Sequence, residues 1–293
     1  MRLRYVYRVL RQDLPKLSLL RDRHVHGHIV TMQQSGTHWL THMLAAAIAD
    51  VYGVPELSDI DDRSLIGDHK RPAVYANIPR LIQTHNIPSP ICHAWPLRRM
   101  LSFPKYVILL RDMRAALVSH YEKHHAGAMS FGDYLRNRRI IGNPVRWDLW
   151  YRIRFLNAWD REFRRLPPTQ TLVMHYEQIQ ADPLGELQRV WTFFGFPAAA
   201  PEVFSRAVAA SSKDRMSQKE SQDKQAKVIR KNSRHPVEWF SADDRAYFEA
   251  VCRTYLRNAH GYDYHQWEPL LPASAGGTWA GGPGQVSSLA RAS

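Results

Sequence analysis

The chain has 293 residues, enough for one large domain with a substantial core, and its composition (44% hydrophobic, 23% charged) is that of a globular protein. Lys and Arg number 40 against 27 Asp and Glu, a formal charge of +13 that favours an anionic ligand or surface without choosing among nucleotide, nucleic acid and membrane. Cys92 and Cys252, the only cysteines, exclude a disulfide framework and a multi-cysteine zinc site and suit a reducing cytosol, and no apolar run is long enough to span a bilayer.

The opening stretch, MRLRYVYRVLRQDLPKLSLL, is broken by Arg2, Arg4, Arg8 and Arg11 and lacks the apolar region and cleavage site of a signal peptide. Leu3, Val6, Val9 and Leu10 can share a helix face with arginines opposite. A basic amphipathic helix can lie on an anionic membrane, although so short a stretch more often packs on its own domain. Residues 1–26 are read as this basic segment.

Residues 28–51, HIVTMQQSGTHWLTHMLAAAIADV, organise the rest. Ile29-Val30-Thr31-Met32 reads as a buried strand, and Gln33 to Thr37 break it. From His38 onward Leu40, Met43, Leu44, Ala47, Ile48 and Val51 recur at helical spacing, with Gly53 at the stop. Strand, small polar loop and helix aim backbone N–H groups and the positive end of a helix at one point, where an anion, most often a phosphate, binds. The GxxxxGK[ST] order is absent, so this is no Walker loop. An ordinary strand–turn–helix with a core tryptophan is the plain alternative.

Residues 54–80 show no clear periodicity and suggest an irregular stretch with short helical pieces. Leu81-Ile82-Gln83-Thr84 is a short strand that exits at His85, the edge where α/β folds place their ligands. Tyr106 to Leu110 reads as a central parallel strand. Arg111-Asp112 follows, then a helix from Met113 to about Lys123 with Ser119 two turns in. Guanidinium and hydroxyl suit a phosphate; a salt bridge between Arg111 and Asp112 or a neighbour is the alternative. Trp147, Trp150, Tyr151, Phe155, Trp159 and Phe163 fit a core-facing helical stripe. Thr171 to Glu177 reads as a strand, and Asp182-Pro183 starts a helix that stops at Gly195. By composition residues 211–235 are a mobile surface loop. A last helix spans about Ala242 to Ala259, and residues 269–293 are a Gly/Ala/Ser-rich tail expected to be disordered.

Ser35-Gly36-Thr37-His38-Trp39 resembles the loop of sulfotransferases that use 3′-phosphoadenosine 5′-phosphosulfate (PAPS), which reads Lys-Ser-Gly-Thr-x-Trp at the same strand-to-helix junction. Thr84-His85 resembles their Lys-Thr-His, and the unit from Tyr106 through Arg111 to Ser119 resembles their 3′-phosphate site. Tyr176-Glu177 before the Pro183 helix, Ser211-Ser212 with Met216, and Arg230-Lys231 follow in the family's order, with Asn232 where a glycine is usual. The resemblance covers roughly residues 27–264. It implies that the loop grips the 5′-phosphosulfate and that Trp39 and Tyr176 contact the adenine. It places Ser211, Ser212 and Met216 near the adenosine, and Arg111, Ser119, Arg230 and Lys231 on the 3′-phosphate. It makes His85 the general base, whose ordinary pKa suits neutral pH.

Gln34 stands in place of the family's loop lysine, and Gln83 in place of the lysine beside the histidine. A glutamine donates a hydrogen bond but brings no charge to the leaving oxygen. The pairs His38/His42 and His120/His124 have zinc-ligand spacing without a third ligand or an HExxH order. The basic charge with interleaved aromatics lacks any nucleic-acid-binding motif. The expectation is a single α/β domain over residues 27–268, with a central, mainly parallel sheet flanked by helices and a P-loop-like strand–loop–helix. It is expected to be a PAPS-dependent sulfotransferase acting on a hydroxyl-bearing small molecule, glycan or lipid, without metal or nucleic acid. A catalytically impaired homologue that binds PAPS or its product is the alternative. The expected location is the cytoplasm, with membrane contact through the N-terminal segment left open.

Overall fold

The strand Gly27–Thr31 (β1) is buried along its whole length because two parallel neighbours flank it and helices cover both faces. The computed structural model describes residues 2–55, 57, 59, 62–137, 147–222 and 234–267. Arg230, Lys231, Asn232 and the C-terminal tail lie outside the described residues.

Ahead of β1 run α1 (Arg2–Arg8), a π-helical continuation over Val9–Asp13, and α2 (Ser18–Arg21). After β1 come α3 (Thr37–Tyr52), β2 (Ile66–Gly67), β3 (Leu81–Thr84), α4 (Trp95–Met100), β4 (Lys105–Leu110), α5 (Met113–His124), α6 (Phe131–Arg136) and α7 (Leu149–Phe163). The chain continues with β5 (Thr171–His175), α8 (Tyr176–Ala181), α9 (Pro183–Phe194), α10 (Pro201–Ala210), α11 (Lys213–Gln222) and α12 (Ala242–Tyr255). The five strands are all parallel, in the order β2-β3-β1-β4-β5. From β1 the chain turns towards one edge and from β4 towards the other, so a crevice opens at their carboxyl ends.

One face of the sheet packs on α3, α9 and α10 through Leu40, Met43, Leu44, Leu187, Val190 and Phe204. The other packs on α5, α7 and α12, where Trp150, Phe155, Trp159 and Phe248 form an aromatic core, as the stripe in the sequence indicated. The caps agree with the residue types: Asp112 accepts from the N–H groups of Arg114 and Ala115, and Asp148 accepts from Tyr151. Asp182 caps α9 with Pro183 in its first turn, and Gly195 ends it at a left-handed φ of 78°.

Five readings need correction. Residues 213–222 form a helix, α11, because Met216 and Glu220 bury a narrow face that composition conceals. Among the described residues of 54–80 the regular element is the two-residue strand β2, not a helical piece. Tyr176 opens α8 instead of ending a strand, and α12 stops at Tyr255, where Leu256 turns extended. In the N-terminal helical stretch an arginine, Arg8, faces inward, and apolar Val6 and Leu10 face outward.

Candidate active site

Four of the five strands deliver a polar residue to the same edge of the sheet. β1 runs into the loop Met32–Gly36, β3 into His85, β4 into Arg111 and β5 into Tyr176. Parallel pairing in this register guarantees the convergence, because all strands end on one side.

The loop takes two left-handed residues, Gln34 at φ 67° and Gly36 at φ 84°. Gly36 is required for a second reason: a Cβ there would stand 2.5 Å from Cδ2 of Tyr176. The first turn of α3 therefore begins without a side-chain cap, leaving its N–H groups aimed outward. Ser35 is fully buried under the loop, and its hydroxyl has no hydrogen-bond partner among the described residues. The Arg111 Nη1 donates to the Gln34 carbonyl at 3.0 Å, with the guanidinium 4.3 Å from the Tyr176 ring centre. Arg111 does not pair with Asp112, because Asp112 binds Arg114 at 2.7 Å and caps α5. Ser119 Oγ donates to Gln34 Oε1 at 3.3 Å.

His85 is fixed by β1. Its Nδ1 lies 2.9 Å from the carbonyl oxygen of Thr31 and 2.8 Å from the Thr31 hydroxyl, which is 2.7 Å from the Thr37 hydroxyl. A carbonyl only accepts, so Nδ1 carries the proton and Nε2 keeps its lone pair. Burial lowers the imidazole pKa to about 4, against the raising effect of the Thr31 hydrogen bond and with further lowering by His38 and Arg63. His85 is therefore neutral at physiological pH. Its carbonyl accepts from the Tyr151 hydroxyl at 2.9 Å, and Trp147 stands edge-on at 5.9 Å.

These groups line a cleft of ≈ 420 Å³. Of the residues picked out in the sequence, Gln34, Gly36, Thr37, His38, Trp39, His85, Arg111, Ser119, Tyr176, Ser211 and Met216 line it. Ser35 lies beneath the loop, and Ser212 is exposed outside the lining, where its carbonyl takes the Met216 N–H. Arg230 and Lys231 lie outside the described residues. Of the other histidines in the zinc-spaced pairs, His42 bonds Ser211 Oγ at 2.7 Å, and His120 bonds the Tyr134 hydroxyl at 3.0 Å with the His124 ring 4.8 Å away.

Sequence reasoning missed Gln33, Lys123, Gln180 and Lys213, which complete the lining. Lys123 sits one helical turn beyond Ser119, a spacing that could have marked it. It also missed Arg152, fully buried in α7, which donates to the carbonyls of Ala116 at 2.9 Å and Gln33 at 3.4 Å. Its charge stands directly behind the loop.

A family model for the sulfotransferase domain matches residues 26–240. The chain belongs to the sulfotransferase domain family. Cytosolic sulfotransferase 3 of Arabidopsis thaliana is 25% identical over 183 residues, covering 59% of this chain and 54% of that protein, so the match spans about half of the relative's length. Among solved sulfotransferase-fold structures, mouse SULT7A1 complexed with PAP aligns with a TM-score of 0.58 at 16% identity, covering 85% of this chain and 91% of that one. Retinol dehydratase in complex with androsterone and the inactive cofactor PAP aligns with a TM-score of 0.59 at 15% identity, covering 88% and 87%. The expected α/β sulfotransferase fold is thus the fold present.

Proposed function

We propose that this chain transfers the sulfuryl group of PAPS to an acceptor hydroxyl, with His85 as general base. The observation that carries the reading is the Nδ1 hydrogen bond of a neutral His85 to the Thr31 carbonyl, at the foot of the anion-binding loop. It leaves Nε2 as the acceptor of a proton beside a site built for an anion.

The residues present fit the nucleotide. The orphaned Ser35 hydroxyl, the uncapped N-terminus of α3 and the close-approach Gly36 suit a phosphosulfate, while Trp39 and Tyr176 offer ring faces and edges to a base. Arg111, Ser119 and Lys123 are the described side chains suited to the 3′-phosphate; Arg230 and Lys231 keep that role as proposed from the sequence. Ser211 and Met216, which line the cleft, and Ser212, outside the lining, keep the adenosine role proposed from the sequence.

When bound, PAPS supplies an activated sulfuryl group attached to a phosphate leaving group. The acceptor oxygen bonds to sulfur as the bond from sulfur to the 5′-phosphate oxygen breaks, and that oxygen keeps the electron pair. His85 Nε2 takes the acceptor's proton. The N–H groups of Thr37, His38 and Trp39 stabilise the charge left on the phosphate, with Lys123, Lys213 and buried Arg152 adding positive potential. Trp147 and Tyr151 beside His85 give the acceptor side an aromatic wall, which suits a hydroxyl on an apolar body. The buried free thiols of Cys92 and Cys252 support a cytoplasmic location.

A second reading, a module that binds PAPS or its product without turnover, draws on Gln34, which places no charge at the loop-lysine position. Transfer of labelled sulfate from PAPS to a panel of hydroxyl compounds, by wild type and His85→Ala, separates the two. The expected result is activity in the wild type that falls about 10²-fold or more in the variant, with PAP affinity and melting temperature nearly unchanged. The donor-dependent kcat/KM should keep its full value down to pH 5, because His85 stays neutral to about pH 4. A well-folded His85→Ala variant that retains turnover removes His85 as the base, and a wild type that binds PAP but transfers to nothing in the panel favours the module.

A further inference from the structure

The N-terminal segment is anchored by an inward arginine and an inward aspartate while several of its apolar residues face outward. Arg8 is buried and donates to both carboxylate oxygens of Asp148, at 2.9 and 2.8 Å. Asp13 is buried against Arg154, 2.6 Å away, and Tyr5 stacks on Tyr255 with ring centres 5.4 Å apart. Turned away from the domain are Val6 (50% exposed), Tyr7 (57%), Leu10 (58%), Leu14 (38%) and Leu17 (41%). Val6, Tyr7 and Leu10 lie on successive turns of the helical stretch, and Leu14 and Leu17 follow in the turn that leads to α2. Isolated exposed apolar residues are ordinary, whereas a ridge over consecutive turns marks a surface that meets something.

The ridge has a neighbour. Ser89 Oγ donates to the Leu14 carbonyl at 2.7 Å and Cys92 Sγ lies 3.8 Å from the Lys16 carbonyl, so exposed Ile91 adjoins its end. The same segment leads into α4, which exposes Trp95 (64%) and Met100 (79%). Charge tells what the surface meets. Residues 1–20 hold Arg2, Arg4, Arg11 and Lys16 besides Arg8, which is buried on Asp148, and their single acid, Asp13, is buried too. Residues 89–102 add Arg98 and Arg99 and no acid. The Arg11 guanidinium lies 5.8 Å from the Tyr7 ring centre and that of Arg99 lies 5.4 Å from Trp95, pairings of cation and aromatic that suit headgroup depth.

We propose that this face docks on an anionic lipid surface, with the apolar ridge entering the boundary between headgroups and acyl chains and the arginines meeting the headgroups. A second copy is the weaker occupant, because a two-fold contact would set a basic surface against itself. Arg8 holds Asp148, the cap of α7, and the preceding Trp147 borders His85, so the segment that carries the docking face is tied through buried contacts to the general base. Resting on the transfer reading above, the bilayer is then the reservoir of the acceptor. Docking itself is measured without donor or acceptor.

The test is sedimentation of the full chain with vesicles of phosphatidylcholine alone and with about 30% phosphatidylserine, at about 0.1 and 0.5 M salt. Binding to the anionic vesicles should exceed binding to the neutral ones by about tenfold and weaken with salt. Leu10→Ser with Leu14→Ser should lower partitioning about tenfold at either salt, and Arg11→Gln with Arg99→Gln should erase the preference for phosphatidylserine. All four side chains are exposed, so melting temperature should not move. Equal, weak partitioning to both vesicles, or binding that the leucine variants leave intact, overturns the proposal. So does a dimer in light scattering that the leucine variants dissociate while vesicles bind nothing.

Discussion

Gln34 holds a left-handed φ of 67°, takes a hydrogen bond from Ser119 through its side chain and one from Arg111 through its carbonyl. It is thus a fixed part of the loop, and what it lacks is charge. A charged donor at a developing anion is worth roughly 1–2 kcal/mol more than a neutral one, or about tenfold in rate if felt wholly in the transition state. Gln34→Lys should therefore leave PAP affinity equal or tighter and raise turnover by up to about tenfold, read by calorimetry and the transfer assay. Lys123 and Lys213 already bring positive charge to the cleft, which limits the gain. A fall in turnover would mean that the loop is adapted to the amide and that its Ser119 contact matters more than charge. The residue types and order around this loop were readable in the sequence, down to His85 at the strand exit. Lys213 and Arg152 were not, since the first depends on where α11 docks and the second on which face of α7 meets the loop.

At the scale of elements, the strand–loop–helix works because Gly36 lets the loop close against the Tyr176 ring at the mouth of β5. Gly36→Ala meets both a left-handed φ and a 2.5 Å clash with that ring. Gly53, at the other end of the same helix, has a φ of 62° and open space around it. Alanine at Gly53 should cost only the backbone strain, about 1 kcal/mol, and leave donor affinity unchanged. Alanine at Gly36 should lower PAP affinity by about tenfold or more as Tyr176 and Arg111 are displaced, with a stability loss at least as large. Calorimetric titration and thermal melts on both variants check this, and equal donor affinities would separate the Tyr176 contact from the binding site. The elements that sequence misjudged share a cause. α11 shows little apolar periodicity because one methionine makes most of its buried face, and the N-terminal helical stretch shows a normal amphipathic pattern but is docked by Arg8 and Asp13. Periodicity reports which residues share a face, and only packing decides which face turns inward.

The whole molecule buries several imidazoles that its sequence distributes without any sign of their fate. Burial lowers His28, His42 and His85 to about 4 and His120 to about 2, with neighbouring cations such as Lys219 beside His42 and Arg152 beside His120 adding to the effect. Each group is neutral when folded, while the unfolded chain protonates near the ordinary value of 6.5. Their contribution to stability is complete above pH 6.5 and is lost as pH falls from there towards 4, because protons then bind the unfolded state preferentially. Each such group contributes on the order of 1–3 kcal/mol over that window. Asp13, raised by burial despite Arg154, runs the other way and offsets a part. A mainly parallel sheet was legible from apolar runs separated by helical periods, β2 excepted, whereas these burials depend on which helix covers each strand. The urea midpoint should therefore hold between pH 8 and 7, drop steadily between pH 6.5 and 4.5, and drop less in a His120→Gln variant, which has one titrating imidazole fewer. A midpoint that stays level down to pH 5 would mean that the fold admits protonated imidazoles at these positions, so that His85 would lose its free Nε2 already in mildly acid solution.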